Sequence, residues 1–359
     1  MRDNMKENSI VSKKNEWLIP AAVMFIKALF VLPLFENIYS VIIGNMKVTD
    51  ILGGAFVAVC TLIFSVLYSL LLTKTVGKAG EIPALFIVFA VADPLVTVTV
   101  RNPFHALALV ITLVWIIVSI KVKNRIAVAV VSVVSAAVIS FIMPCAALTF
   151  VVAGILVAVI SDSGNMLSKA VTGAASAASA SLFVAVLSSG NLRLEPEFMK
   201  IINRFGGTES HALSAGRLEY AFSMRDIFAQ FSSVFAACLP FVAFAVYVAV
   251  KAVTDKESSV AARIMTASAV ILPFVGSAAA SAICFGTGCV TGFMLAPLAV
   301  IFALTVSGNK AVVGAVGDVC GFAKKHPAVA LAAIVWIGCH TMSFVSPNKV
   351  FGFAAYFSS

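Results

Sequence analysis

The sequence predicts an all-α, polytopic integral membrane protein with about eleven transmembrane helices and one amphipathic helix in an outer loop. Hydrophobic residues make up 61% of the 359 residues and charged residues only 11%, with a mean hydropathy of +1.06. A soluble domain carries about 25% charged residues. The apolar runs approach the roughly 20 residues that cross a membrane as a helix, and they are too continuous for the alternating strands of a barrel.

Hydropathy in windows of about 19 residues places the candidate spans along the chain. Met143 and Pro144 interrupt the longest apolar stretch, and we expect a tight hairpin there because proline removes a backbone donor inside a helix. The spans lie near residues 17–35, 51–73, 82–100, 104–120, 126–142, 145–161, 169–188, 229–250, 264–283, 289–306 and 328–345.

This pattern predicts a chain organised in five parts. About seven spans form an N-terminal bundle and about four form a C-terminal bundle, with a long polar loop between them. The parts are a cytoplasmic polar leader at 1–16, the first bundle at 17–188, the outer loop at 189–228, the second bundle at 229–345, and an outer tail at 346–359.

The distribution of lysine and arginine predicts the orientation. With the N-terminus inside, 16 of them fall in inner segments and 8 in outer segments, five of those in the long loop. Cytoplasmic loops carry an excess of Lys and Arg, so we expect a bacterial cytoplasmic (plasma) membrane protein with its N-terminus inside and its C-terminus outside. The net charge of +9 is scattered over short loops without a basic stripe, which argues against nucleic acid as a partner.

The long outer loop carries a predicted amphipathic helix between Glu195-Pro196 and Gly206-Gly207. Its apolar residues Phe198, Ile201, Ile202 and Phe205 recur at i, i+3, i+4 and i+7, which puts them on one face. That face either lies on the outer leaflet or packs on neighbouring spans. Arginines can hold phosphate through paired hydrogen bonds, or form salt bridges within a solvated loop. The candidate substrate-binding residues of this loop are Arg193, Arg204, His211 and Arg217.

A second set of polar residues lies in or beside the first spans. Asp93, followed by Pro94, falls inside the third span, where a charge is costly and therefore marks a functional candidate. Lys27 in the first span is its expected partner, and a purely structural ion pair is the alternative. Near the outer boundary the candidates are Glu36, Asp50, Arg101 and His105, for which helix capping and solvation are the alternative.

Residues 92–148, which open with "ADPLVTVTVRNPFH" and end with "FIMPCAAL", resemble the corresponding region of GT-C-type membrane glycosyltransferases. The shared features are a proline-containing outer end, a span, a short basic turn at 121–125, and a further span that ends near a proline. The resemblance implies a polyprenyl-phosphate sugar donor and acidic residues in the first external loop, where Glu36 and Asp50 match. That loop is short here, and it lacks the family's adjacent acidic pair.

The resemblance also implies a mechanism. Asp50 or Glu36 acts as general base on the acceptor hydroxyl, while Arg101 or loop arginines stabilise the departing lipid phosphate. The implied partners are membrane lipid and a lipid-linked saccharide. None of the seven cysteines has zinc-type CxxC spacing, so no metal ligand is assigned, and a divalent cation is left open as a cofactor.

Two other functions fit the same layout. The segment "SAGRLEYA" resembles a Gly-Arg-Leu segment of lipid-linked O-antigen or capsule polymerases, in which Arg204 and Arg217 would bind the substrate pyrophosphate. A transporter or flippase would instead use Asp93 and Lys27 as a coupling pair near the middle of the membrane, where transporters have broken helices.

Overall fold

The fold is given by a computed structural model that describes residues 17–31, 48–79, 103–142, 147–161, 166–188, 224–284 and 287–341. Side chains are described at 17–26, 58–75, 77–78, 107–142, 147–161, 167–185, 238–277 and 295–336. Within these ranges the chain forms helices and short connections only. The helices are α1 (Leu18–Val31), α2 (Val48–Ala79), α3 (Pro103–Lys121), α4 (Arg125–Ile142), α5 (Ala147–Ser161), α6 (Met166–Ser188), α7 (Met224–Thr254), α8 (Val260–Cys284), α9 (Thr287–Ser307), α10 (Lys310–Lys325) and α11 (Pro327–Thr341).

Several of the described helices suit a membrane. Three contain a segment long and apolar enough to cross one: Ala58–Thr75 in α2, Arg125–Ile142 in α4 and Val260–Ser277 in α8. The bent pair α9 and α10 would make a fourth if it counts as one span. A helix pairs its own backbone N–H and C=O groups, for which the hydrocarbon of a membrane offers no hydrogen-bond partners. The predicted class, all-α with helices able to cross a membrane, is therefore confirmed, and the number of crossings stays a prediction.

Ten of the eleven predicted spans coincide with described helices, and their ends agree within a few residues for most. The predicted span at 82–100 and the predicted amphipathic helix of the outer loop lie outside the described residues. Met143 and Pro144, where a break is expected, lie outside the described residues, and the helices on either side, α4 up to Ile142 and α5 from Ala147, are separate elements, in agreement with that expectation. The sixteen-residue helix α10 was not predicted, since the sequence suggested only an inner connecting segment there.

Helix α9 lies at the centre of the bundle. All residues from Leu295 to Thr305 are buried, and α9 packs against α2, α3, α5, α7, α8 and α10. The ring of Phe302 meets that of Tyr68 on α2 edge to face, with 5.7 Å between centroids. A helix covered on all sides needs no polar face, which explains why this segment of the sequence shows no amphipathic pattern.

The outer helix α4 has the opposite polarity to a helix on the surface of a soluble protein. Its exposed residues at i, i+4, i+8 and i+12 are Ile126, Val130, Val134 and Val138. Four of its six buried residues are small, three of them serines: Ser132, Ser135, Ala136 and Ser140, with Val128 and Ile139. Apolar side chains outside and small residues against the neighbouring helices are what a lipid environment favours, because lipid gives apolar groups no reason to be buried.

Two glycines let helices approach closely. A Cβ atom on Gly154 of α5 would lie 2.6 Å from Cδ2 of Trp115, so the indole of α3 packs directly on the α5 backbone. The indole Nε1 donates a hydrogen bond of 2.8 Å to Ser132 Oγ on α4, which joins three helices in the core. On the other face of α5, Gly276 of α8 lies against the backbone of Leu148. Beside it, Thr149 Oγ1 and Ser277 Oγ share a buried hydrogen bond of 2.7 Å.

Contacts between helix termini define one end of the bundle, which we name the basic end. It contains the ends of α2, α3, α7 and α9, the beginnings of α4 and α8, and helix α10. The contacts join Lys74 to Lys121, Lys78 to the carbonyl of Val306, Lys251 to Asp318, and Lys310 to Glu257. Helices α2, α3, α7 and α9 therefore begin at the opposite end of the bundle.

Candidate functional site

The predicted site residues lie at the edges of the described structure or beyond it. Asp50 is in the first turn of α2 and His105 in the first turn of α3, and the side chains of both are outside the described part. Lys27 is on α1, likewise without a described side chain. The other predicted residues fall outside the described ranges: Glu36, Asp93, Arg101, Arg193, Arg204, His211 and Arg217. Whether these residues share one pocket therefore stays a prediction.

Helix directions nevertheless fix the level of Asp50 along the bundle. A rise of about 1.5 Å per residue separates Asp50 from Lys74 by about 36 Å, and His105 from Lys121 by about 24 Å. Lys74 and Lys121 are neighbours, so Asp50 lies about 12 Å further from the basic end than His105 does. The hydrocarbon core of a membrane is about 30 Å thick, which is less than the distance from Lys74 to Asp50.

The helices that flank the long polar loop have their free ends on the same side as Asp50. Helix α6 runs parallel to α4, because Ser179 Oγ meets the carbonyl of Val133 and Phe183 packs on Phe141. It therefore begins at the basic end and finishes, at Ser188, at the opposite end. Helix α7 begins at Met224, about 40 Å along the axis from Lys251. The segment with the four candidate loop residues thus joins two helix ends opposite the basic end.

Every charged side chain that the structure describes, apart from histidine, lies at the basic end. Twelve are basic and three are acidic, which gives this end a strongly positive charge. They occupy the last turns of α2, α3 and α7, the first turns of α4, α6 and α8, the connecting turns, and α10. The basic residues are Lys74, Lys78, Lys121, Lys123, Arg125, Lys169, Lys251, Lys256, Arg263, Lys310, Lys324 and Lys325, and the acidic ones are Asp255, Glu257 and Asp318.

Helix α10 turns by 113° from α9, so it lies across the basic end instead of continuing the span. Gly308, with φ of +88°, makes this turn, since positive φ is strained for other residues. Asn309 caps the new helix by accepting the Val312 N–H, and its Nδ2 donates to Thr266 Oγ1 at 3.1 Å. The sequence before α10 therefore both ends one helix and anchors the next.

Two ion pairs hold α10 against its neighbours. The Asp318 Oδ2 atom lies 2.9 Å from Lys251 Nζ and accepts a hydrogen bond of 2.8 Å from the Tyr247 hydroxyl, and both partners are on α7. At the start of α10, Lys310 Nζ lies 2.9 Å from Glu257 in the turn before α8. The bonds from Lys251 and Tyr247 lower the pKa of Asp318, and the bond from Glu257 raises the pKa of Lys310. We name the group Tyr247, Lys251 and Asp318 the α7–α10 clasp.

The sequence contained a signal for α10 that hydropathy windows overlooked. Val312, Ala315, Val316 and Cys320 are its buried residues, and their spacing of i, i+3, i+4 and i+8 is that of an amphipathic helix. An asparagine precedes the pattern and two lysines close it, as is typical of helix starts and stops. The pairing of Asp318 with Tyr247 and Lys251 had no such signal, because the partners are about 70 residues apart on another helix.

Replacing Asp318 by asparagine is expected to loosen α10 from α7. The test is the rate of maleimide labelling of Cys320, which is buried on the inner face of α10, in a variant that keeps Cys320 as its only cysteine. Burial raises the pKa of this thiol to about 11, so labelling is slow while α10 stays docked. We expect faster labelling in D318N. Replacing Glu257 by glutamine in the protein that keeps only Cys320 tests whether the Lys310–Glu257 ion pair slows labelling to the same extent.

The clasp also has a predicted pH dependence. Because the pKa of Asp318 is lowered in the fold, its contribution to stability is present above the ordinary aspartate pKa and is lost as the pH falls through the lowered value. The difference in thermal midpoint between wild type and D318N should therefore persist at neutral pH, begin to shrink as the pH falls through the ordinary aspartate pKa of about 4, and vanish only below the lowered pKa of Asp318. A difference that stays constant down to pH 3 would contradict the clasp.

The interior contains polar groups without partners in the described part of the chain. The hydroxyls of Thr61 and Tyr68, two turns apart on α2, are fully buried, as are those of Ser140 and Ser161. A buried hydroxyl without a hydrogen bond costs about 1–3 kcal/mol. No group of three or more His, Cys, Asp and Glu side chains in the described ranges is arranged to hold a metal ion.

Comparisons of the chain with protein-family models, with curated proteins and with solved structures gave no match. The fold itself defines the class: an all-α bundle of apolar helices, several of them suited to a membrane, with one strongly basic end.

Proposed function

We propose that the chain is a membrane glycosyltransferase that moves a sugar from a polyprenyl-phosphate donor to an acceptor on the outer side of the bacterial cytoplasmic membrane. The observation that carries this proposal is the separation of charge along the bundle. The described basic side chains gather at one end, while α2 begins with Asp50 at the other, about 36 Å away along the helix.

The charge of the basic end supports the orientation. Twelve lysines and arginines against three acids are typical of a cytoplasmic face, because positively charged loops stay inside. On this basis Asp50, His105 and the helix ends that flank 189–223 face outward. Helix α2 finishes at the basic end and α3 begins at the opposite end, which supports the expected crossing near 82–100. The proposal has eleven crossings, with the N-terminus inside and the C-terminus outside.

The proposed chemistry uses carboxylates near the outer boundary. Asp50 or Glu36 takes the proton of the acceptor hydroxyl as that oxygen attacks the anomeric carbon, and the sugar–phosphate bond breaks with inversion. The electron pair of that bond leaves with the polyprenyl phosphate, whose charge Arg101 and the loop arginines stabilise. Substrate binding is assigned to Asp93, Arg101, His105, Arg193, Arg204, His211 and Arg217.

The purified full chain, reconstituted in vesicles of bacterial lipid, tests the proposal. The probes are radiolabelled polyprenyl-phosphate glucose, mannose and galactose, and the readout is loss of label from the lipid in the presence of an added membrane extract as acceptor. A heat-inactivated sample is the blank. We expect release from at least one donor, and no release from any of them would overturn the proposal.

Two further arms separate the alternatives. Growth of labelled oligosaccharide on polyprenyl pyrophosphate, without transfer of single sugars, would identify a polymerase. Movement of a labelled polyprenyl-phosphate sugar between leaflets without cleavage would identify a flippase. Reporter fusions after Gly207 and within the turn at 122–124 check the orientation in the same preparation. An outward signal from 122–124 would reverse the assignment of both faces.

A further inference from the structure

Acidic residues are unevenly distributed over the basic end. The three described acids lie on the side of α7, α8 and α10, and each has a partner there. Asp318 pairs with Lys251, Glu257 pairs with Lys310, and Asp255 accepts hydrogen bonds from the Ser258 hydroxyl and the Glu257 N–H. On the other side, where α2 and α3 end, the described side chains include exposed Lys74, Lys78, Lys121 and Lys123 and no acid. Among the described side chains, acids thus offset part of the positive charge on one side and none of it on the other.

Two of these lysines lie side by side. The ammonium groups of Lys74 on α2 and Lys121 on α3 are close enough to repel each other. Lys78, one turn further along α2, donates to the carbonyl of Val306 at the end of α9. That bond ties α2 to α9, and the packing of α2 on α3 then holds Lys74 beside Lys121. Two cations held together in this way are complementary to one anion that accepts hydrogen bonds from both.

We propose that Lys74 and Lys121 bind the phosphate group of an anionic phospholipid in the leaflet at the basic end, with Lys123 adding to the local charge. Long lysine side chains at helix ends extend to the headgroup level, where phosphate oxygens accept their hydrogen bonds. The shared chemistry is a phosphate with two free acceptor oxygens, which a lipid headgroup or a soluble phosphate can supply. The site lies at the opposite end from Asp50 and does not depend on the proposed glycosyl transfer.

The full chain in dodecylmaltoside micelles tests the site by its thermal unfolding midpoint. The probes are dioleoylphosphatidylglycerol, dioleoylphosphatidylcholine and inorganic phosphate, each titrated into wild type and into K74Q/K121Q. The matched control is K256Q/K325Q, which removes the same charge from the same end but away from α2 and α3. We expect saturable stabilisation of wild type and the control by phosphatidylglycerol, with an affinity about 25-fold weaker in K74Q/K121Q, or about fivefold for each lysine.

The thermal midpoint of K121Q, measured without any added anion, gives a second, independent readout. Removing one of two repelling charges should leave the midpoint of K121Q at or above that of wild type in neutral micelles, whereas loss of a structural lysine would lower it. Stabilisation by inorganic phosphate alone, lost in K74Q/K121Q, would support the same site with a soluble source. Equal weakening in K256Q/K325Q, equal stabilisation by phosphatidylcholine, or no response to either anion would overturn it.

Discussion

Replacing Asp50 by asparagine together with Glu36 by glutamine is expected to lower the rate of sugar transfer by about 10²–10⁴-fold, the contribution of a general base. The carboxamides keep the size of the carboxylates but cannot take a proton from the acceptor hydroxyl at neutral pH. The double change is needed because both acids match the expected base. The measurement is initial rate of label release in vesicles, with substrate affinity followed separately to distinguish lost chemistry from lost binding.

The matched control exchanges one aspartate and one glutamate at the other end of the bundle. D255N/E257Q makes the same chemical change in the turn between α7 and α8, where Glu257 is exposed and Asp255 half-buried. Its transfer rate should stay within about twofold of wild type, because surface substitutions away from a site have small effects. Unchanged activity in D50N/E36Q would remove both residues from the mechanism. An equal loss in the two variants would point to folding or insertion instead of catalysis.

Local sequence signals were sufficient for most helix boundaries. The prediction of 126–142 differs by one residue from α4, and α4 and α5, which flank Met143 and Pro144 in the sequence, are separate helices as expected. Both features depend on hydropathy and on proline, which act within a few residues of where they occur. Helix α10 was missed because it is short, carries Lys310, Asp318 and two final lysines, and lies across the bundle. Its place is set by α7 and the turn at Gly308, not by length or hydropathy.

The arrangement of side chains was much less predictable. The two lysines Lys74 and Lys121 are 47 positions apart in sequence, and only the parallel packing of α2 and α3 makes them neighbours. The same is true of Trp115 and Gly154, because the sequence of neither helix alone predicts that this indole packs on this glycine. The candidate catalytic residues were inferred from their distance to span ends. That inference predicts how far along the membrane normal each residue lies, and the helix directions do the same for Asp50. Neither gives the distances between the candidate residues.

Replacing Gly276 by alanine is expected to destabilise the bundle by about 1–3 kcal/mol through overpacking. The new Cβ atom would lie 2.9 Å from the carbonyl carbon of Leu148, and even closer to its oxygen. These are backbone atoms, so no change of rotamer relieves the contact and α5 has to move away from α8. That movement also strains the buried hydrogen bond between Thr149 and Ser277, which contributes roughly 0.6–1 kcal/mol.

The thermal midpoint of the full chain in detergent measures this effect, and Gly314→Ala is its control. A Cβ atom on Gly314 meets nothing within 4 Å, and the residue lies inside helix α10. Alanine there should stabilise by about 0.5–1 kcal/mol, because glycine loses more conformational freedom on entering a helix. Replacing glycine by alanine should thus lower the thermal midpoint at Gly276 and raise it at Gly314. If G276A were as stable as G314A, α5 and α8 would not be in direct backbone contact, and the half of the bundle away from the basic end would have to be packed differently.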